Sequence, residues 1–253
     1  MSVESFRLHG QVAVVTGCNT GLGQSMAVAL AEAGADVVGF NRSSAAATAE
    51  QVQRAGRRYL DLRADMADMD RFDDLLQQAQ ALTGHVDILV NNAGIILRNA
   101  AIDFSEGDWD AVIDVNLKAT FFLSQTMARH CMARQRRGKI INVASMLSFQ
   151  GGVRVPSYTA SKSGVLGLTR ALANEWAAHG VYVNAIAPGY MVTNNTAALR
   201  EDKARNAAIL ERIPSGRWGV PADLAGPVVF LASSASDYVH GCTLAVDGGW
   251  LAR

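Results

Sequence analysis

Apolar positions along the chain fall into two alternating patterns. Short runs rich in β-branched residues read as strands: "VAVVT" (12–16), "DVVGF" (36–40), "RYLDL" (58–62), "VDILVN" (86–91), "GKIINVA" (138–144), "VYVNAIA" (181–187) and "TLAVD" (243–247). Several are apolar without alternation, the pattern of strands covered on both faces. Between them, 23–34, 45–56, 70–84, 108–133 and 157–180 carry apolar residues at helical spacing, and most close on glycine. Strand and helix in alternation predict right-handed βαβ units, hence an α/β fold with one parallel sheet and helices on both faces. The stretch 193–221 breaks this rhythm. It is polar, helical in its middle, and follows a strand end, where ligands of open α/β sheets sit. No low-complexity linker or solenoid-length repeat divides the chain. It reads as one domain, 1–253, with an excursion at about 193–221.

Composition narrows the classes. At 253 residues and 49% hydrophobic, the chain can bury a sizeable core. Lys plus Arg equals Asp plus Glu at 23 each, with no long single-sign run, which argues against a nucleic-acid partner. The basic stretch "ARQRRGK" (133–139) reads as a solvated helix end. No apolar stretch reaches membrane-spanning length, and "MSVESFRLHG" lacks the apolar run of a secretory leader. Cys18, Cys131 and Cys242 are widely spaced and odd in number, pointing to free thiols in a reducing cytoplasm. The five histidines and three cysteines show no HExxH or CxxC spacing, so no metal site is expected.

Two stretches carry chemistry. "VVTGCNTGLGQSMAVAL" gives a strand, a glycine turn and a helix, with Gly17, Gly21 and Gly23 spaced T-G-x-x-x-G-x-G. Bare backbone there lets a pyrophosphate approach a helix N-terminus. The plainer alternative is a glycine-rich βα loop; a P-loop is excluded because no Gly-Lys-Ser/Thr follows. The second strand runs into "GFNRSS", where a carboxylate would bond a ribose 2′-hydroxyl and a cation would receive a 2′-phosphate. Asn41 can bond a free hydroxyl, as NAD offers, whereas Arg42 tilts the choice to NADP unless it simply faces solvent. The second stretch, "PSYTASKSG" (156–164), starts a helix at Pro156 and Ser157 and stacks Tyr158 one turn from Lys162. Such a pair is ordinarily a surface accident. A cation beside a phenol would, however, lower its pKa from about 10 and make it a base near neutral pH.

Four stretches in order, "TGCNTGLG", "NNAG" (91–94), "NVAS" (142–145) and "YTASK" (158–162), resemble the short-chain dehydrogenase/reductase family over essentially the whole chain. The resemblance implies a Rossmann-type doubly wound parallel sheet, an oxidoreductase acting on CH–OH groups with NAD or NADP, and a homotetramer. It implies four catalytic residues. Tyr158 exchanges the proton, Lys162 supplies the cation, Ser145 bonds the substrate oxygen, and Asn116, in "DVNLKATFF", holds Lys162 through a water. For the cofactor it implies Gly17, Asn19, Gly21, Leu22, Gly23, Asn41, Arg42, Asp65, Met66 and, behind the fourth strand, Asn91, Asn92, Ala93 and Gly94. Tyr158 and Lys162 join these, with Pro188, Gly189, Met191 and Thr193 of "APGYMVT". Asp65 would lie beside the adenine, or else cap the next helix. "DGGW" (247–250) would pack at a subunit interface, as would the apolar face of "LTRALANEW" (168–176).

Within that family, "ASMLSFQGGVRVPSYTASKSG", "APGYMVTNNT", "ERIPSGRWG" and "SDYVHGCTLAVDGGWLAR" are similar to sugar-acid dehydrogenases of hexuronate catabolism. This implies a substrate of the 2-dehydro-3-deoxy-D-gluconate or 2-deoxy-D-gluconate type. Gln150, Arg154, Asn194, Asn195 and Arg217 crowd the loops expected to ring the nicotinamide and, with Ser145 and Tyr158, form a polar substrate pocket. Arg154 is the candidate for the substrate carboxylate, its alternative being a surface arginine. Two rivals remain: a 3-oxoacyl-thioester or general carbonyl reductase, and a catalytically dead dinucleotide-binding regulatory subunit.

Overall fold

Seven parallel strands form the sheet of the computed structural model, which describes residues 3–82 and 84–253. Met1 and Ser2, in the stretch read for a leader, and Thr83, in the 70–84 helical pattern, lie outside the described residues. The strands are β1 (Val12–Thr16), β2 (Asp36–Asn41), β3 (Tyr59–Arg63), β4 (Ile88–Asn91), β5 (Gly138–Val143), β6 (Val181–Pro188) and β7 (Thr243–Val246). Each begins within two residues of its apolar run. The helices are α1 (Gly21–Glu32), α2 (Ala46–Arg54), α3 (Phe72–Gln80), α4 (Glu106–Ile113), α5 (Ala119–Ala133), α6 (Pro156–Trp176), α7 (Ala197–Glu201), α8 (Lys203–Arg212) and α9 (Ala225–Ala232).

Strand order is β3-β2-β1-β4-β5-β6-β7. β1 pairs with β2 at Val12↔Asp36 and with β4 at Ala13↔Ile88. The order reverses between β1 and β4, and the chains diverging there open a crevice beyond the strands' C-terminal ends. β1, β2, β4, β5 and β6 are buried throughout, whereas the edge strands β3 and β7 are half-exposed because each has one neighbour. Alternate side chains serve opposite cores. Val12 and Val14 pack with Phe72, Leu75, Leu123 and Leu172 of α3, α5 and α6. Ala13 and Val15 pack with Met26, Leu30, Val228 and Leu231 of α1 and α9. Each large apolar side chain so buried contributes about 1.5–3 kcal/mol. A third, smaller cluster of Met146, Ile209, Ile213, Trp218 and Trp250 seats α8 over the crevice.

One expectation is corrected here. The pattern at 108–133 is not one regular helix, because a π-helical turn (Asp114–Lys118) joins α4 to α5. Within it, the Asn116 side chain accepts from Ile95 N (2.8 Å) and donates to Ile95 O (2.9 Å), which fixes the turn against the loop after β4. Along 168–176, Leu168 and Trp176 are half-buried, so part of that apolar face stays open. Leu172 and Ala173 are buried in their own chain, and Arg170, Ala171, Asn174 and Glu175 are exposed. Exposed aromatic surface also lies at Trp109 (40%) and Phe122 (38%) on α4 and α5, besides Phe6, Phe149 and Tyr238. Trp250 of "DGGW" is buried in its own chain, while Asp247 accepts from Gly249 N and Leu251 N, both at 2.9 Å. In the basic stretch 133–139, Arg136 pairs with Asp87, and Arg137 and Lys139 both pair with Asp237. No helix among the described residues is long and apolar enough to cross a membrane.

Candidate active site

A cleft of about 840 Å³ lies beyond the C-terminal ends of the strands. At its floor Gly17 (φ +63°) and Gly21 (φ +59°) adopt the left-handed conformation that glycine takes without strain. A Cβ on Gly23 would collide with the Gly17 carbonyl oxygen and the Asn92 amide. Thr20, ahead of α1, makes no side-chain cap, so the helix's first amides keep their capacity for an anion. Asn92 fastens this turn from the side. Its Nδ2 donates to Thr16 O (2.9 Å) and Gly17 O (3.0 Å), and Thr16 Oγ1 accepts from Asn92 N and Ala93 N. A close-packed, left-handed cradle with free amides fits a dinucleotide pyrophosphate. Asn19, Leu22, Arg42, Asp65, Met66, Ala93 and Gly94 also line the cleft, with Pro188, Gly189, Met191 and Thr193 on the far wall.

Two asparagines read as cofactor contacts face elsewhere. Asn41 is buried, accepts from Cys18 N (2.8 Å) and donates to Asp61 Oδ1 (2.8 Å), so its amide is spent inside the sheet. Asn91 donates to Ser124 Oγ and Asn142 Oδ1, both at 2.9 Å, beneath the floor. Asp65 accepts from Ala67 N (3.0 Å) in a tight local turn and caps no helix. At the lip, Asn19 Nδ2 donates to Ser43 Oγ (2.8 Å) beside the exposed Arg42.

Ser145, Tyr158 and Lys162 meet in the cleft. Ser145 follows β5, and its Oγ accepts from Leu147 N (3.1 Å), which leaves its own proton for the Tyr158 phenol. Burial raises the Tyr158 pKa above its ordinary value; the Ser145 bond and the Arg98 charge oppose that rise. The Lys162 ammonium lies 5.8 Å from the Tyr158 ring centre and donates to Val143 O (2.6 Å). Burial pulls its pKa down to about 8. Asn116 does not line the cleft. It stands behind it and reaches the helix of Tyr158 through Ser161, whose Oγ accepts from Asn116 Nδ2 (3.2 Å) and donates to Tyr158 O (2.8 Å). Ser148 binds the other side, donating to Lys162 O (2.6 Å) and accepting from Ser145 N (3.3 Å).

Gln150, Asn194 and Asn195 line the substrate end, but two arginines expected there do not. Arg154 takes a left-handed φ of 64° on an exposed loop, and its carbonyl accepts from Asn99 N. Arg217 is committed to Asp223 through two bonds of 2.7 and 2.9 Å, which hold that carboxyl below its usual range. The cations that do line the cleft are Arg42, Arg98, Lys162, Arg205 and Arg212, against one carboxylate among the described residues, Asp65. Arg98, Arg205, Arg212 and Tyr190 were not singled out from sequence. A signal existed for two of them, since Arg205 and Arg212 stand seven residues apart, two helical turns, within the stretch 193–221. Among the described residues, no group of three or more His, Cys, Asp or Glu is placed to hold a metal ion.

Residues 11–204 match the short chain dehydrogenase family. The chain is 63% identical, over all 253 residues and the whole of both chains, to the 2-dehydro-3-deoxy-D-gluconate 5-dehydrogenase of Escherichia coli K12. A crystal structure of a proposed 2-deoxy-D-gluconate 3-dehydrogenase from Agrobacterium tumefaciens with bound NADP is 58% identical (TM-score 0.94, 98% of this chain and 99% of that one). A gluconate 5-dehydrogenase from Burkholderia cenocepacia in complex with NADP and tartrate is 39% identical (TM-score 0.94, 99% of this chain and 98% of that one).

Proposed function

The chain belongs to the short chain dehydrogenase family of NAD(P)-dependent oxidoreductases, and from that premise we propose that it oxidises and reduces a sugar acid. The substrate is of the 2-dehydro-3-deoxy-D-gluconate or 2-deoxy-D-gluconate type, reacting at a secondary hydroxyl. The observation that carries this reading is the charge of the cleft: its lining cations face an anionic cofactor and an anionic substrate with only Asp65 opposed. An acyl-thioester reductase would want an apolar channel where Gln150, Asn194, Asn195 and these arginines stand. NADP is the cofactor, supported by Arg42 and Ser43 at the lip and by a β2 end that carries no carboxylate.

The cofactor supplies the hydride acceptor or donor; the proton is the protein's part. Tyr158, as phenolate, takes the carbinol proton as the carbon becomes a ketone, and returns it in the reverse direction. The Lys162 ammonium holds the phenolate charge, and Ser145 donates its proton to the substrate oxygen. Asn116 and Ser161 position the helix that carries Tyr158, and Ser148 positions Ser145 and Lys162. The working unit is a single-domain chain in a homotetramer, in the reducing cytoplasm. Exposed Trp109 and Phe122 support the assembly, and the free thiols of Cys18, Cys131 and Cys242 support the compartment.

Turnover of 2-dehydro-3-deoxy-D-gluconate, 2-deoxy-D-gluconate and a 3-oxoacyl thioester, each with NADP(H) and NAD(H), tests the reading. Activity on the sugar acids should exceed that on the thioester, and Tyr158→Phe should lower kcat by at least about 100-fold with cofactor binding kept. Preference for the thioester would overturn the substrate class. Near-normal turnover in Tyr158→Phe would remove the phenol from the mechanism.

A further inference from the structure

The geometry points to Arg205, Arg212 and Tyr190 as the receptor for the substrate's carboxylate, held under α8 and away from Tyr158. This rests on the sugar-acid reading above and says where the acid group goes. α8 carries Arg205 and Arg212 two turns apart on one face, and both line the cleft together with Tyr190.

The three groups are prepared to different degrees. Tyr190 is set edge-on between Trp218 (ring centres 5.4 Å) and Trp250 (4.8 Å), so its phenol has a fixed direction. Arg212 lies 4.0 Å over the Trp250 ring. Its Nη2 donates to Gln150 Oε1 (3.1 Å), the oxygen that Trp250 Nε1 also holds (3.1 Å). That stack and bond orient the guanidinium and leave its other N–H groups open. The Arg205 side chain is exposed and, among the described residues, has no hydrogen-bond or ion-pair partner, so it is free to close on an anion. Both arginine charges bear on the Tyr190 phenol, whereas the cations beside the Tyr158 phenol are Arg98 and Lys162. Apart from Arg42 at the lip, the cleft therefore has two cationic places: one beside the reacting oxygen and one, doubly charged, under α8.

A carboxylate held under α8 requires a substrate that spans from Tyr158 to that second cationic place.

The test compares 2-dehydro-3-deoxy-D-gluconate with its neutral amide on holoenzyme carrying Arg205→Met, Arg205→Lys, or Arg205→Met with Arg212→Met. Arg205→Met should raise KM for the acid about tenfold, the effect falling on KM rather than kcat, while KM for the amide shifts less than about twofold. Lysine should restore part of the loss, and the double variant should abolish the preference for acid over amide. The rise in melting temperature that 2-dehydro-3-deoxy-D-gluconate gives the NADP complex should shrink in step, a readout independent of turnover. If all three variants keep the wild-type acid-to-amide ratio, the receptor is elsewhere. The same holds if Arg98→Met alone abolishes it. Should the wild-type enzyme itself fail to prefer the acid, the sugar-acid reading falls, and the receptor with it.

Discussion

Lys162 is a charge the fold would be more stable without. It is 4% exposed, pairs with no carboxylate among the described residues, and has the Val143 carbonyl as its hydrogen-bond partner. A pKa lowered from 10.5 to about 8 means that folding disfavours its charged form. For a base so shifted, the full cost is present below pH 8 and is relieved as pH rises from about 8 to 10.5. The shift corresponds to about 3 kcal/mol at neutral pH. Lys162→Met keeps the length and removes the charge. Allowing about 1–2 kcal/mol for the lost bond to Val143, the variant should be more stable by about 1–2 kcal/mol at pH 7. Calorimetry should show a melting temperature about 3–6 °C higher, with turnover lost. A melting temperature at or below that of the wild type would show that the ammonium is better solvated than its burial implies.

At the scale of elements, the β1–α1 turn was legible because its requirement is local: glycines are needed wherever backbone must pass within a Cβ's reach of backbone. Gly23→Ala tests that requirement. Its Cβ would meet the Gly17 carbonyl and the Asn92 amide, so the turn must open and Asn92 must release it. NADPH should bind at least about tenfold more weakly by fluorescence titration, with the far-ultraviolet circular dichroism of the sheet and helices kept. Unchanged affinity would mean the turn yields without cost. Strand and helix spans were legible for the same local reason. The π-turn at Asp114–Lys118 was not, because it follows from Asn116 gripping the backbone of Ile95, a partner from a separate loop. Asn41 and Arg154 were misplaced similarly. Asn41 is turned inward by Cys18 and Asp61, and Arg154 is carried outside the cleft on a left-handed loop. Residue type named the candidates, but distant partners decided which way they faced.

For the whole molecule, the open question is what covers Trp109 and Phe122. Light scattering at micromolar concentration should give four times the chain mass, and Trp109→Arg should lower it. A monomeric mass for the wild type would refute the tetramer. The strand order has a different consequence, for the chain as it is made. β3, β2, β1 and β4 all come from residues 12–91, so the dinucleotide half of the sheet exists as polypeptide before Asn116, Ser145 or Tyr158 has been added. β4, buried and apolar in the finished protein, must wait for β5 at Gly138–Val143 to supply its outer neighbour. Translation at about 5–20 residues per second leaves that edge open for several seconds. During that interval the nascent protein is half a sheet with a sticky margin, and its best protection against a neighbouring ribosome's product is the speed with which the next strand arrives.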